Sequence, residues 1–478
     1  MAWPNILLIT TDQQRFDTIA ALGNHHIYTP HLDYLVDEGI AFTRCYSECP
    51  VCMPARATIM TGLSAETHGL LNNGEKPYPM KDRKTFPQLL TENGYQTRAE
   101  GKLHFSPMRA TYGIEHADLP MEYFNEMRKY NRPSTREHGL GENEMEPVIN
   151  NIDERDTLTH WIVEKSMYFL DNRDTTRPFF LWTSFPKPHP PFDPCLPYWE
   201  LYRDEKMPEP WIGDWANEPG TPQSGFYFPT ERLNGAGKFS KEQIRRIRQA
   251  YYACLTQIDY NLGLLFAKMR ELNLMENTWI IFTSDHGEML GDHYMGAKTV
   301  FFEGAAHIPF LIKPPAALGN SHPTIHVERC SKLMTLNDLA PTILSIAGIK
   351  VPEEMEGRNL LTYRNSDEPE TVVWGNTANQ YLSVVRGHHK YTWARMGGNE
   401  LLFDLENDPH ELHDLSKSPE HQSLRNELRT MLIAHFRKVA SDCIGENNDL
   451  IPQPPLKDMH ISRFPGLNTT VFPRDSFH

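Results

Sequence analysis

A short apolar run, a polar loop and an amphipathic stretch follow one another repeatedly along this chain, and that order leaves few architectures open. Ile6 to Thr10 reads as a buried strand. Thr29-Pro30 can cap and open a helix that ends near Gly39, and Ile40 to Thr43 returns as a strand; proline suits a first helical turn because its missing N–H has no partner there anyway. By the same logic Pro54 sits in the first turn of a helix running to about Thr61 and stopped by Gly62. Thr85 to Glu92 reads as a helix ended by Gly94, followed by a strand from Tyr95 to Ala99. Phe179 to Thr183 and Trp279 to Thr283 are apolar runs of the kind found in sheets covered on both faces. Between them a long helix opens at the capping box Ser240-Lys-Glu-Gln243. The alternation predicts an α/β fold: a large, mainly parallel sheet sandwiched by helices.

At 478 residues the chain exceeds the usual single domain, so a smaller appended unit is expected. After about residue 365 the texture changes to short segments, Thr371 to Gly375, Leu382 to Arg386, Lys390 to Ala394 and Leu401 to Leu405, then a helix from about His421 to Val439. This predicts a small antiparallel sheet packed with one helix. The expected division is a catalytic domain over 1–365, a C-terminal α+β subdomain over 366–450 and a tail over 451–478. Residues 186–239 read as a long ordered excursion whose prolines disfavour a regular helix. Its Trp199, Trp211, Trp215, Tyr227 and Phe228 either stack on a sugar ring or simply pack the loop. The tail carries five prolines, at 452, 454, 455, 465 and 473, yet also Ile451, Leu456, Ile461, Phe464, Leu467, Val471, Phe472 and Phe477. That is more apolar surface than a solvated tail carries, so it is expected to dock.

No run approaches the roughly 20 apolar residues of a membrane span. The formal charge of −15 excludes a chain that wraps nucleic acid, whose footprint is basic; an anionic substrate would need a local cationic pocket. The start, Met1 to Asn5, runs straight into Ile6 to Ile9 without a basic flank or a small-residue cleavage site. A cytoplasmic location is expected, or a periplasmic one if a leader has been removed. Seven cysteines, at 45, 49, 52, 195, 254, 330 and 443, are few and odd in number, unlike a disulfide framework.

The polar residues that could carry chemistry stand just beyond strands. Asp12-Gln13 follows the first, Lys102 and His104 the Tyr95 strand, His189 the Phe179 strand, and Asp285-His286 the Trp279 strand. In a parallel sheet these ends share one edge, where open α/β sheets hold their ligands. Asp12, Asp285, Gln13 and His286 form a mixed oxygen and nitrogen set able to hold a divalent cation. Arg56, Lys102 and Lys298 would then make the pocket positive, as an anionic ester requires. Cys52 precedes a helix start, which favours negative charge. A cysteine there can be a buried structural one. Cys45, Cys49 and Cys52 also have the spacing of the cluster motif of radical S-adenosylmethionine enzymes, but that reading leaves Asp12, Asp285 and the lysines and histidines unexplained.

Cys52-Met-Pro-Ala-Arg56 followed by Thr61-Gly62 resembles the signature of the sulfatase family, within the alkaline-phosphatase-like superfamily. Gly101-Lys102-Leu-His104, Ser284-Asp285-His286-Gly287 and Leu402-Phe-Asp404-Leu-Glu-Asn-Asp408-Pro409 are similar to further motifs of that family, so the resemblance covers nearly the whole chain. It implies a sulfatase that hydrolyses a sulfate ester of a sugar or another small organic body. Cys52 would be oxidised by a formylglycine-generating maturation enzyme, and the hydrated aldehyde would offer one hydroxyl to attack sulfur and a second to expel sulfate afterwards. Carried over residue by residue, Asp12, Gln13, Cys52, Asp285 and His286 would hold the metal, with calcium expected and manganese the alternative. Arg56 and Lys102 would orient the nucleophile and His104 would take the proton for elimination. His189 and Lys298 would bind the sulfate and protonate the leaving oxygen, with Asn73, or less readily Asn72, adding a hydrogen bond. Gln13 and His286 depart from the aspartate and asparagine of many sulfatases and resemble instead the branch of choline sulfatases and phosphonate monoester hydrolases. The docked tail would lie on its own subunit or, as tails do in that branch, cross onto a neighbour and help form a homo-oligomer; if it crosses, His460, Arg463 or Arg474 could reach a partner's pocket. The alternatives kept open are a phosphonate monoester or phosphodiester hydrolase and a non-catalytic binding protein on the same scaffold.

Overall fold

The computed structural model describes residues 3–74, 79–216, 239–318, 327–439 and 442–454. The expectations for Tyr227, Phe228 and the tail beyond 454 lie outside the described residues. The main sheet has nine strands: β1 (Asn5–Asp12), β2 (Ile40–Tyr46), β3 (Gln96–Gly101), β4 (His116–Asp118), β5 (Phe179–Pro188), β6 (Thr278–Ser284), β7 (His307–Lys313), β8 (Glu328–Cys330) and β9 (Met334–Thr335). Their order is β4-β3-β5-β1-β6-β7-β2-β8, with β9 also pairing β2. Only β7 runs against its neighbours β6 and β2; the other pairings are parallel.

The apolar run of β1 reflects cover on both faces. Leu7 and Ile9 point into one core, with Leu35 of the Pro30–Asp37 helix, Trp161 of the Leu158–Asn172 helix and Leu262 of the Lys241–Glu271 helix. Ile6 and Leu8 point into the other, with Ile59 of the Cys52–Thr61 helix, Leu90 of the Phe86–Glu92 helix and Ile343 of the Leu339–Ile346 helix. Successive side chains of a strand face opposite ways, so a strand sandwiched between helices has no polar face to show. The Ser240 capping box forms as expected, Ser240 Oγ accepting from the Gln243 N–H at 3.3 Å and Gln243 Oε1 from the Ser240 N–H at 2.8 Å. Thr29, by contrast, does not cap its helix. Asp259 does so from the long helix, accepting from the backbone N–H groups of His31 and Leu32 at 3.1 and 2.8 Å.

The excursion contains a short helix, Leu196–Leu201, against the expectation from its prolines. Pro197 lies in the first turn, where its lost N–H costs nothing. The C-terminal part is an antiparallel meander of β10 (Val373–Thr377), β11 (Tyr381–Arg386), β12 (His389–Ala394) and β13 (Glu400–Asp404). The Gln422–Lys438 helix covers one face, burying Leu428, Leu432 and Phe436 against Leu382, Tyr391 and Trp393. The other face rests on the α/β unit through Tyr381, Leu401 and Phe403 against Met289 and Phe302. Among the described residues no helix is long and apolar enough to cross a membrane, and all seven cysteines are buried and outside disulfides.

Candidate active site

The parallel strands β1, β3, β5 and β6 deliver their polar residues to one sheet edge. Sheet register sets the height: Thr10 lies opposite Ser184, Gly101 opposite Ser184, and Thr11 opposite Ser284. Asp12 ends β1, Lys102 follows β3, His189 follows β5, and Asp285-His286 follow β6. Cys52 joins them as the first residue of the Cys52–Thr61 helix, which Gly62 ends in the left-handed region at φ 65°.

Asp12, Cys52, Asp285 and His286 each offer one ligand atom, and these atoms lie within 4.8 Å of one another. Cys52 Sγ is 3.2 Å from His286 Nε2 and 3.9 Å from Asp12 Oδ1. His286 Nδ1 donates to the Gly287 carbonyl at 3.0 Å, so Nε2 is the nitrogen that faces the cluster. Behind this set lies Arg56, whose side chain is 0% exposed. Its Nε donates to Asp285 Oδ2 at 2.9 Å and its Nη2 to Asp12 Oδ2 at 3.4 Å. Its Nη1 donates to the Lys102 carbonyl at 2.6 Å and to Ser184 Oγ at 3.1 Å. Lys102 Nζ meets Asp12 Oδ2 at 2.5 Å.

Gln13 sits at φ 76°, and its amide is clamped from both ends. Lys298 Nζ donates to Oε1 at 2.6 Å, while Nε2 donates to Glu288. The structure therefore turns the Gln13 oxygen toward Lys298. His189 Nδ1 donates to the Pro190 carbonyl at 2.8 Å, leaving Nε2 as the nitrogen free to react. His104, at φ 57°, is half-buried, and its Nδ1 has no hydrogen-bond partner among the described residues. Asn73 is exposed and accepts the Met53 N–H on Oδ1 at 3.0 Å, which places it at the helix start beside Cys52; Asn72 supports it by accepting the Asn73 N–H at 2.8 Å.

These contacts set the electrostatics. Burial would raise Asp12, but the charges of Lys102, His189, Arg56 and His286 outweigh it and hold the carboxyl well below its usual range. Burial and the neighbouring Asp12 charge push Asp285 up. Burial and Asp12 also push against a thiolate at Cys52, yet Lys298, Lys102 and His286 prevail and bring it well below an ordinary thiol. Burial and Lys298 depress His189. Two crowded carboxylates beside a nitrogen and residue 52, backed by cations, form a donor set with room for a divalent ion and a need for one.

Two residues of the site escape sequence reading. Ser184 accepts from Thr10 Oγ1 at 2.9 Å and donates to the Lys102 carbonyl at 2.5 Å, tying β1, β3 and Arg56 together. No local motif marks it. Glu288 holds Gln13 and the N–H groups of Leu290 and Ala297 at 3.0 and 2.5 Å; its place two residues after His286 was a usable signal. Burial pushes Glu288 up, toward its neutral form. The iron–sulfur reading fails on placement. Cys45 lies in β2 within the core and Cys49 Sγ donates to the Leu71 carbonyl at 3.4 Å, so among the described residues only Cys52 joins a ligand group. Of the described excursion tryptophans, Trp199 and Trp215 pack against cores, whereas Trp211 is 39% exposed and stacks on His410 at 3.9 Å.

The family model for sulfatases matches residues 4–349, and that for the C-terminal part of N-sulphoglucosamine sulphohydrolase matches residues 291–438. The chain is 33% identical to an arylsulfatase of Clostridium perfringens over 462 residues, covering 90% of this chain and 94% of that one. It is 29% identical to a choline-sulfatase of Rhizobium meliloti over 468 residues, covering 92% and 88%. Among solved structures it is similar to a phosphonate monoester hydrolase of Agrobacterium radiobacter, with TM-score 0.75 and 23% identity over 94% of this chain and 100% of that one. A protein solved with its substrate D-glucosamine-2-N,6-O-disulfate gives TM-score 0.72 and 20% identity over 92% and 99%. With the family model spanning most of its length and the signature cysteine seated among metal-type ligands, the chain belongs to the sulfatase family of sulfuric ester hydrolases.

Proposed function

We propose that this enzyme hydrolyses the sulfate ester of a saccharide or another small organic body, using formylglycine formed from Cys52 and a divalent cation. The observation that carries the reading is the convergence of Asp12, Cys52, Asp285 and His286 within 4.8 Å at one sheet edge. Those four residues would hold the cation, and the Gln13 amide oxygen would join them only by leaving Lys298. Oxygen ligands suit calcium, and the His286 nitrogen admits manganese. When bound, such an ion polarises the sulfuryl oxygens and favours an ionised oxygen on residue 52.

The protein's own groups do the rest. Arg56, locked by Asp285, Asp12, Ser184 and the Lys102 carbonyl, holds both carboxylates in place without reorganising. Lys102 and Lys298 offer ammonium groups to the arriving anion. Water is largely excluded, since Cys52 is 1% exposed, so these charges act at low dielectric. His189 presents Nε2 to the leaving oxygen, and an anionic ester beside it would raise the proton affinity that burial and Lys298 depress. His104 Nδ1, unpartnered among the described residues, is available to take a proton from residue 52. Trp211, exposed and with one face against His410, would have its other face to offer a saccharide body.

A formylglycine-generating enzyme is the maturation partner this requires. Peptide mass spectrometry on active enzyme tests the reading: formylglycine at position 52 and no turnover in Cys52→Ala are expected, and full activity with an unmodified thiol would reject it. A second reading, phosphonate monoester hydrolysis, is favoured by Gln13 and His286 together with the fold likeness to the Agrobacterium radiobacter enzyme. The ratio of kcat/KM on aryl sulfates to that on aryl phosphonates decides between them. We also propose a homo-oligomer; mass in solution after removal of residues 451–478 tests it.

A further inference from the structure

We propose that Lys187, clamped by Asp193, is a positioning residue for His189. The inference rests on the reading above, in which His189 protonates the leaving oxygen. Pro188-His189-Pro190-Pro191 contains three prolines, so four residues present one backbone N–H between them. A segment so poor in donors cannot hold itself to a sheet, and it must be anchored through its carbonyls. The chain on either side is tied down: Pro188 lies opposite Asp12 in the register of β5 on β1, and the Phe192 carbonyl accepts from the Val148 N–H at 3.0 Å.

Between these ties the donor is Lys187 Nζ. It donates to the Pro191 carbonyl and makes a longer contact of 3.4 Å to the His189 carbonyl. The Pro190 carbonyl is used by His189 Nδ1 itself at 2.8 Å. The ring is thus held to a backbone that the Lys187 ammonium holds in turn. Lys187 cannot wander, because Asp193 pairs with it and the two side chains are 14% and 1% exposed. Asp193 is fixed by two further donors. Leu140 N–H donates to His138 Nδ1 at 3.1 Å, which leaves the proton on Nε2, and that nitrogen meets Asp193 Oδ2 at 3.1 Å. Asn150 Nδ2 reaches the same oxygen at 3.4 Å. A buried ion pair of this kind specifies geometry more than it stabilises.

A proton donor displaced by about 1 Å loses on the order of a hundredfold in rate. The test is a double-mutant cycle between Lys187→Met and His189→Ala, run on phenyl sulfate and 4-nitrophenyl sulfate, with thermal midpoints to confirm folding. Protonation matters most for the poorer leaving group, phenolate. Lys187→Met is expected to lower kcat on phenyl sulfate about 10- to 100-fold and on 4-nitrophenyl sulfate far less. In the His189→Ala background it should cost less than about twofold on either ester, and Lys187→Arg should keep most of the activity. Lys187→Gln carries the same cycle should the methionine variant not fold. Equal losses on both esters, or an undiminished loss in the His189→Ala background, would overturn the positioning role. If His189→Ala itself shows no dependence on the leaving group, the reading of His189 falls, and the role of Lys187 falls with it.

Discussion

Lys390 is a buried lysine, 0% exposed, that the C-terminal sheet inserts into the α/β unit. Its Nζ lies 2.6 Å from Glu303 and 2.8 Å from Glu411, and donates to the Phe301 carbonyl at 3.1 Å. At an effective dielectric of about 20, each contact is worth about 6 kcal/mol of attraction. Desolvating three charges cancels most of this, so the triad as a whole stabilises little. Removing the ammonium alone is different. Lys390→Met leaves the buried Glu411 without a cation and Glu303 with His307 alone, a loss of about 3–5 kcal/mol. With an unfolding entropy of about 2.1 cal/mol/K per residue, 478 residues unfolding together give about 1 kcal/mol/K, so the midpoint should fall by about 3–5 °C. The loss must depend on pH. In the native chain burial opposes the Glu303 charge, but Lys390 and His307 outweigh it and hold Glu303 well below the carboxylate range. Its share of stability is therefore present above the unfolded carboxyl's value and lost as pH falls. Burial, partly countered by Lys390, already pushes Glu411 to about 7. Without Lys390 the Glu411 carboxyl rises further above its unfolded value, so the variant loses more stability than the native chain as pH rises. Thermal midpoints at pH 5.5 and pH 8 should show a deficit that is larger at pH 8, and adding Glu411→Gln should recover a good part of it. An equal deficit at both pH values, or a deeper one in the double variant, would refute the argument.

Asp285→Ala should lose bound metal and turnover together, read by elemental analysis beside kinetics, rather than raise KM alone. Ser184→Ala leaves Thr10 Oγ1 without its acceptor and Arg56 Nη1 with the Lys102 carbonyl alone; a loss of about 1–2 kcal/mol corresponds to a roughly five- to thirtyfold fall in kcat/KM on an aryl sulfate. Trp211→Ala should raise KM for a sulfated saccharide with kcat and aryl sulfate kinetics unchanged, if its exposed ring stacks on the sugar.

Much of the framework was readable before any coordinates because its causes are local. An apolar run such as Ile6 to Ile9, four residues long and followed by Asp12 and Gln13, reads as a strand buried on both faces, and it is one. Gly62 ends its helix because the left-handed conformation is open to glycine, and the Ser240 box caps within four residues. The strand-end rule placed Asp12, Lys102, His189 and Asp285 on one edge because parallel strands share a direction. Even here local reasoning had limits, since the N–H groups expected to rest on Thr29 belong to Asp259, more than 200 positions away. What only the tertiary structure decided has the same character. Nothing local marks the reversal of β7, which is a matter of which neighbours it meets. Ser184 matters only because register brings it to Thr10, 174 positions away, and to Arg56. The Gln13 oxygen faces Lys298 because Glu288 claims the other end of the amide, and Lys390 is a buried ion only because the C-terminal sheet packs it between its own Glu411 and Glu303 of the α/β unit. Residue type and short spacing determine which groups can react and roughly where strands end; the partner each group takes depends on distances between segments that no short window of sequence contains.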